Sequence, residues 1–275
     1  MSGVLLRAEA LEVAYGGGGL FGRAPPTQVL HGVSLSVGRG ETVGIVGESG
    51  SGKTTLGRAL LRLIDVSRGR LLFDGLDITR ASPLQMRPLR RRMQLIFQDP
   101  MASLNPRHTI AGIVTAPMLY HARARDAADA MRQAKEIFER FSLSPVLLDR
   151  YPHELSGGQR QRVGIARVAL LRPDFVLADE IVSGLDVSTQ AQALNLLKGL
   201  SRELGLAMAF ISHDLSVIRA ICDRVYVLRA GRVVEENDCE RLFASPRHAY
   251  TRSLIDAIPL PRIDPGWLSR DGPSD

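Results

Sequence analysis

The chain opens with two stretches of alternating apolar and polar residues, VLLRAEALEVAY and QVLHGVSLSV. That period of two is the mark of a half-buried β-strand. Glycines at 16–19 and the Pro25-Pro26 pair lie between them. The pattern therefore predicts two antiparallel strands joined by a loop. ETVGIVG (41–47) is short and apolar, a buried strand. TTLGRALLRLI switches to helical spacing, GRLLFDGLDI returns to strand and turn, and QLIFQ (94–98) is a third apolar strand. From 100 to 171 the spacing is mostly helical; in AADAMRQAKEIFERFSL, Met131, Ala134, Phe138 and Phe141 share one face. Strand patterns resume at DFVLAD (174–179) and AMAFIS (207–212), and RVYVLRAGRVVEE predicts a hairpin around Ala230-Gly231. Strand–helix alternation on both sides of a helical block predicts an α/β core with an inserted helical subdomain. No internal repeat appears, so one such unit is expected. The segment after Pro259, rich in Pro, Asp and Gly, is expected to be poorly ordered.

Composition narrows the classes. The 275 residues are 45% hydrophobic and 23% charged, which excludes a wholly disordered or fibrous chain. Net charge is +6, carried almost wholly by arginine, since Lys53, Lys135 and Lys198 are the only lysines. That excess suits nucleic acid, an anionic surface or a phosphate ligand without choosing among them. Cys222 and Cys239 make neither a disulfide framework nor a zinc site, and a reducing compartment is expected. Glu9 and Glu12 come too early for a signal-peptide core. No apolar run approaches the roughly 18 residues of a membrane span. Arg87, Arg90, Arg91 and Arg92 form a basic cluster, expected to be a solvated face, with anionic lipid or a partner as the lesser reading.

The sharpest chemistry is Gly47-Glu48-Ser49-Gly50-Ser51-Gly52-Lys53-Thr54, a match to G-x-x-x-x-G-K-[ST] with an apolar strand before it and a helix after it. Glycines let several N–H groups converge on one anion, and the helix N-terminus adds its dipole. Lys53 would neutralise β and γ phosphates, and the Thr54 hydroxyl would coordinate Mg²⁺. DFVLADE delivers Asp179 at a strand end, where ligands sit in open α/β sheets. Asp179 would support Mg²⁺ and Glu180 would polarise the attacking water. Alone, such a carboxylate pair also suits a solvated loop or a helix cap. Leu155-Ser156-Gly157-Gly158-Gln159 precedes a helical run and offers a second anion-binding helix end; its bland reading is an ordinary Ser-capped helix.

At LSGGQ the sequence resembles the ATP-binding cassette (ABC) family, and the other motifs stand in the family's order over roughly residues 4–240. The resemblance implies a phosphate-loop NTPase core with a RecA-like parallel sheet, an N-terminal antiparallel β-subdomain and a helical subdomain inserted at about 99–171. Residues 241–275 would form a C-terminal extension. Gln98 in IFQDP resembles the Q-loop, Ser183-Gly184-Leu185-Asp186 the D-loop, His213 in ISHDL the switch histidine and Tyr15 the aromatic that stacks on adenine. The implied catalytic set is Glu180, His213 and Gln98, with Thr54, Gln98 and Asp179 around Mg²⁺. The implied ATP site is Tyr15, Gly47, Glu48, Ser49, Gly50, Ser51, Gly52, Lys53, Thr54, Thr55 and Asp179. Leu155, Ser156, Gly157, Gly158 and Gln159 would complete the ATP of a partner subunit, and Ser183 and Asp186 are the implied D-loop residues. A lone histidine after a strand is by itself more often a core residue; the motif set is what selects the switch role for His213.

FQDPMASLNPR and LFASPRHAYTRSLIDAIP resemble, more narrowly, ATPase subunits of bacterial oligopeptide/dipeptide/nickel importers, in particular the second of two such ATPases. Three departures stand out: His248-Ala249-Tyr250 in place of His-Pro-Tyr, Gly184 in place of the commoner Ala, and Ile181 in place of Pro. None removes a reacting group. The cysteine-rich stretch of some relatives is absent, so no iron–sulfur cluster is expected. The resemblance implies ATP as substrate with Mg²⁺, a homologous ATPase partner (homo- or heterodimer), two membrane permeases, a solute-binding protein reached indirectly, and a place on the cytoplasmic face of the cell membrane. No nucleic-acid partner is expected. The competing class, a soluble ABC ATPase acting on DNA or ribosomes, usually carries paired cassettes, coiled-coil inserts or zinc cysteines. A cassette that has lost catalysis is opposed by intact Lys53, Asp179, Glu180 and His213.

Overall fold

The computed structural model describes residues 3–16, 26–97, 100–184 and 186–258. The predicted loop glycines and Pro25, Gln98, Leu185 and the segment after Pro259 lie, wholly or in part, outside these residues. Two sheets organise the fold. The first is antiparallel, in the order β2 (Thr27–Gly38), β1 (Val4–Tyr15), β4 (Arg68–Phe73), β5 (Leu76–Asp77). The second runs β10 (Arg232–Asp238), β9 (Arg224–Arg229), β3 (Thr42–Val46), β8 (Ala207–Ile211), β7 (Phe175–Asp179), β6 (Met93–Ile96). Its first five members in sequence pair in parallel; β10 returns antiparallel at the edge. The predicted hairpin at Ala230-Gly231 is that edge.

Each central strand of the second sheet is buried on both faces, as parallel sheets require. Alternation divides its side chains between two cores. Val176, Ala178, Met208, Phe210, Val225 and Val227 face one core. Phe175, Leu177, Ala207, Ala209, Ile211, Tyr226 and Leu228 face the other, which they share with β1, β2 and helix α1 (Lys53–Leu60). The first core continues into the helical block, where α4 (Ile110–Tyr120), α5 (Ala127–Arg140) and α6 (Gly157–Leu170) pack against one another. Ala134, Phe138 and Phe141 are buried there as the spacing predicted, with Met131 packed against them. Between these elements run α2 (Pro83–Arg92), α3 (Pro100–Ser103), α7 (Val187–Leu204) and α8 (Leu215–Ile221), and α9 (Cys239–Ala244) and α10 (Ala249–Asp256) follow β10.

Three local features differ from the pattern. In β1 the register shifts between Ala8 and Leu11, with Ala10 at φ 47° and its N–H donating to Ser34 Oγ at 2.9 Å. This bulge returns Leu11 and Val13 to the core. Helix α1 stops at Leu60, short of the expected Ile64, because Arg62 turns left-handed (φ 51°) and its guanidinium donates to the Ile64 and Ile78 carbonyls. The basic cluster is only partly a solvated face. Arg90 is half-buried and donates to the Leu61 and Arg62 carbonyls, and Arg92 bridges Asp74 and Asp174. These arginines tie α2 to the end of α1, to the turn after β4 and to the start of β7.

Candidate ATPase site

The phosphate loop leaves the C-terminal end of β3 and turns into α1. Gly47 sits at φ 149°, where a Cβ would lie 2.1 Å from the Leu228 carbonyl oxygen; only glycine fits. Gly52, at φ 102°, caps α1 without a side chain, and no acidic residue occupies the first turn. The first N–H groups of α1 are thus left for an anion. Ser49, Gly50 and Thr54 are exposed, Thr55 is half-buried and Ser51 is buried. Lys53 is buried, and its Nζ donates to the Gly47 and Glu48 carbonyls at 2.7 Å each. Burial lowers its pKa, opposed by the charges of Glu180, Asp179 and Glu48.

Asp179 ends β7 beside the loop. Burial raises its carboxyl pKa, the neighbouring Glu180 charge adds to this, and a hydrogen bond from Thr54 opposes it. Asp179 Oδ1 is buried with no hydrogen-bond partner. An orphaned carboxylate oxygen next to a threonine hydroxyl is a donor set short of a cation, and it fits Mg²⁺. Among the described residues no cluster of three His, Cys, Asp or Glu forms a separate metal site.

Glu180 turns out of the strand at φ 48°, an unusual conformation for a non-glycine residue, held where its N–H donates to the Ile211 carbonyl at 2.9 Å. The parallel pairing of Asp179 with Ile211 sets the ends of β7 and β8 level. His213, two residues beyond, thereby brings Nδ1 to 3.6 Å from Glu180 Oε1. The fold thus assembles Lys53, Thr54, Asp179, Glu180 and His213 at the C-terminal ends of the interior strands β3, β7 and β8.

The other predicted residues stand apart. Ser156 caps α6 in a capping box: its Oγ accepts from Gln159 N at 3.3 Å, and Gln159 Oε1 accepts from Ser156 N at 2.9 Å. Ser156 and Gly157 are exposed; Leu155 is buried in the core and anchors the turn. A Cβ on Gly158 would meet Thr189 Cγ2 at 2.9 Å, so glycine there lets α7 begin beside α6. Asp186 caps α7, accepting from Thr189 N at 2.9 Å and from its hydroxyl at 2.7 Å. Ser183 is exposed, its N–H donating to the Glu180 carbonyl. Among the described residues no hydrogen bond or ion pair joins 155–159 to 47–55. Tyr15 is an exposed residue at the end of β1, without hydrogen bond or ring contact to the loop. Gln98 lies outside the described residues. One residue at the loop escaped the sequence reading: Tyr250, whose hydroxyl accepts from Glu48 N at 2.9 Å.

A mostly parallel sheet with this loop at one strand end and a paired carboxylate at another defines a phosphate-loop nucleoside triphosphatase. The sequence profile described as ABC transporter matches residues 30–183, more than half of the chain. A putative peptide import ATP-binding protein of Brucella ovis is 52% identical over 242 residues, 88% of this chain and 76% of that protein. The oligopeptide transport ATP-binding protein AmiF of Streptococcus pneumoniae is 45% identical over 262 residues, 95% of this chain and 83% of that protein. Among solved structures, the ATP-binding cassette MJ0796, a dimer in a post-hydrolysis state bound to ADP and Pi, superimposes with a TM-score of 0.76. It is 28% identical and covers 86% of this chain and 99% of its own. The chain belongs to the ABC transporter family and is an ATP-hydrolysing cassette.

Proposed function

We propose that this chain powers a membrane importer of di- or oligopeptides, as one of two cassettes that close on ATP against separate permease subunits. The observation that carries the two-cassette reading is the separation of two anion-binding helix ends. One is built into the phosphate loop; the other, at Ser156, is exposed and remote from it in hydrogen bonding. A γ phosphate held at Lys53 has no donors on its open side until a partner's Ser156 hydroxyl and Gly157/Gly158 amides arrive. Closure also excludes water and strengthens each charge interaction inside. Asp186 caps α7, whose Thr189 lies against Gly158 of that helix end. Peptide as cargo rests on the likeness to the two import and transport proteins above.

Within the site, Lys53 transfers from the Gly47 and Glu48 carbonyls to the phosphates. The amides from Gly50 to Thr55 cradle them, and exposed Tyr15 stacks on adenine. Thr54 and Asp179, with Gln98 from the family pattern, would hold Mg²⁺, which when bound neutralises charge on the phosphate oxygens. Glu180 accepts the proton of the attacking water as general base. His213, 3.6 Å away, fixes the Glu180 carboxylate and contacts the γ phosphate. The cassette would comprise residues 4–240, with 241–275 as an extension.

The helical subdomain, about 99–171, begins just beyond Gln98 and carries a groove of about 490 Å³ lined by Ser103, Asn105, His108, Gly112, Tyr120 and His121. Tyr120 is exposed in its wall and Leu119 is exposed next to it in the chain. This is the surface offered to a permease's cytoplasmic segment, which would hold the protein peripherally at the membrane. Among the described residues no helix is long and apolar enough to cross a membrane.

The test uses tagged Glu180→Gln chain, in which ATP binding is expected to persist and turnover to fall about 100-fold or more. Expressed in its native host and solubilised from membranes with MgATP, it is expected to co-purify with two membrane-spanning subunits and a second cassette, identified by mass spectrometry. Recovery with ribosomal or DNA-repair proteins and no membrane subunit overturns the importer reading.

A further inference from the structure

The C-terminal extension reaches the phosphate loop. Its path is fixed by Glu235 of β10, a buried carboxylate that accepts from the backbone N–H of Arg247 at 2.8 Å and of His248 at 2.9 Å. His248 then caps α10, its Nδ1 accepting from Tyr250 N at 3.1 Å. Tyr250 is buried, with the Arg229 guanidinium 4.8 Å from its ring centroid. Its hydroxyl accepts from Glu48 N at 2.9 Å. That N–H belongs to the same peptide unit as the Gly47 carbonyl, which accepts from Lys53 Nζ at 2.7 Å. One peptide plane at the root of the loop is therefore held at both ends, by Tyr250 on one side and by the phosphate-binding lysine on the other.

We propose that Tyr250 is a positioning residue for ATP binding, and that through it the C-terminal extension holds the phosphate loop in its nucleotide-ready form. The inference rests on the assignment of the loop and Lys53 to ATP. When Lys53 leaves the Gly47 carbonyl for the phosphates, half of the hold on this peptide is lost. The Tyr250 hydroxyl is the part that persists. Without it, the peptide is free to rotate and the loop must be ordered again on each binding event, which weakens affinity. The chemistry itself is untouched, because the Tyr250 hydroxyl acts on the Glu48 N–H at the root of the loop rather than on a reacting group.

Tyr250→Phe in the full chain removes the hydroxyl and keeps the ring under Arg229. ATP affinity, read by fluorescence titration with a labelled ATP, is expected to weaken about three- to tenfold, the worth of one neutral hydrogen bond. KM for ATP should rise by the same factor, with kcat at saturating ATP within about twofold. Arg229→Leu loosens the ring and leaves the hydroxyl, so its affinity should stay near that of the parent. Unchanged affinity in Tyr250→Phe overturns the proposal. So does an equal loss in Arg229→Leu, which would make the effect general loosening of α10. Lys53→Ala is the control: if it also binds ATP normally, the loop assignment itself has failed, a result distinct from failure of Tyr250 alone.

Discussion

Two helix N-termini of this protein, those of α1 and α6, are built in opposite ways. Helix α1 begins at Gly52 with no side-chain cap, so its first amides are free for a ligand. Helix α6 begins at Ser156 with a complete capping box, so its serine hydroxyl and its Gln159 amide already satisfy each other. The first end lies inside a strained glycine loop with a buried lysine and a carboxylate pair nearby. The second is exposed and lacks all three. An uncapped end costs stability until ligand arrives and so marks a primary binding site. A capped, exposed end folds at little cost and can contribute only when another molecule is brought to it.

The largest break in this comparison comes at the lysine. Lys53→Ala is expected to weaken ATP binding about 100-fold, since charge-assisted contacts to phosphate are lost, while the melting temperature changes little. Equilibrium nucleotide titration measures it. Ser156→Ala should act on the other end alone. ATP affinity of the isolated chain is expected to stay the same, while steady-state hydrolysis, which the proposed two-cassette closure requires, is expected to fall at least about tenfold. Loss of the cap should also lower the melting temperature by about 2–4 °C. A drop in single-chain affinity would contradict action in trans.

The smallest effect concerns Asp179. Burial raises its carboxyl pKa above the unfolded value. The protonated form is thus favoured in the folded chain, a contribution present at low pH and lost as pH rises through the folded pKa. Asp179→Asn should therefore melt slightly higher than the parent at pH 8 without nucleotide, with the gap closing as pH falls through the folded pKa of Asp179. Added Mg²⁺ should stabilise the parent more than the variant.

Much of the candidate site was legible because it is written in short contiguous runs. The glycine loop, the Asp179-Glu180 pair at a strand end and the Ser156 cap each span fewer than ten residues, and each folds as its local chemistry demands. The departures arose where distant groups intervened. Arg62 stopped α1 early, its guanidinium held by the nearby Ile64 carbonyl and by that of Ile78, sixteen residues on. Arg90 and Arg92, which read as a solvated run, were drawn into ties with α1 and β7.

The sequence by itself determined the strand–loop–helix of the phosphate loop, the Ser156-capped start of α6, the alternation of β1 and β2 and the short apolar runs of the parallel sheet, since each depends on near neighbours in the chain. Only the tertiary structure decided that Glu180 stands 3.6 Å from His213, because the register of β7 on β8 sets that distance. It alone decided that Gly47 admits no side chain, because the obstacle is the Leu228 carbonyl. And it alone placed the Tyr250 hydroxyl on Glu48, 202 residues earlier in the chain. Such contacts are set by packing between elements, and no local period or motif spacing encodes which of them will meet.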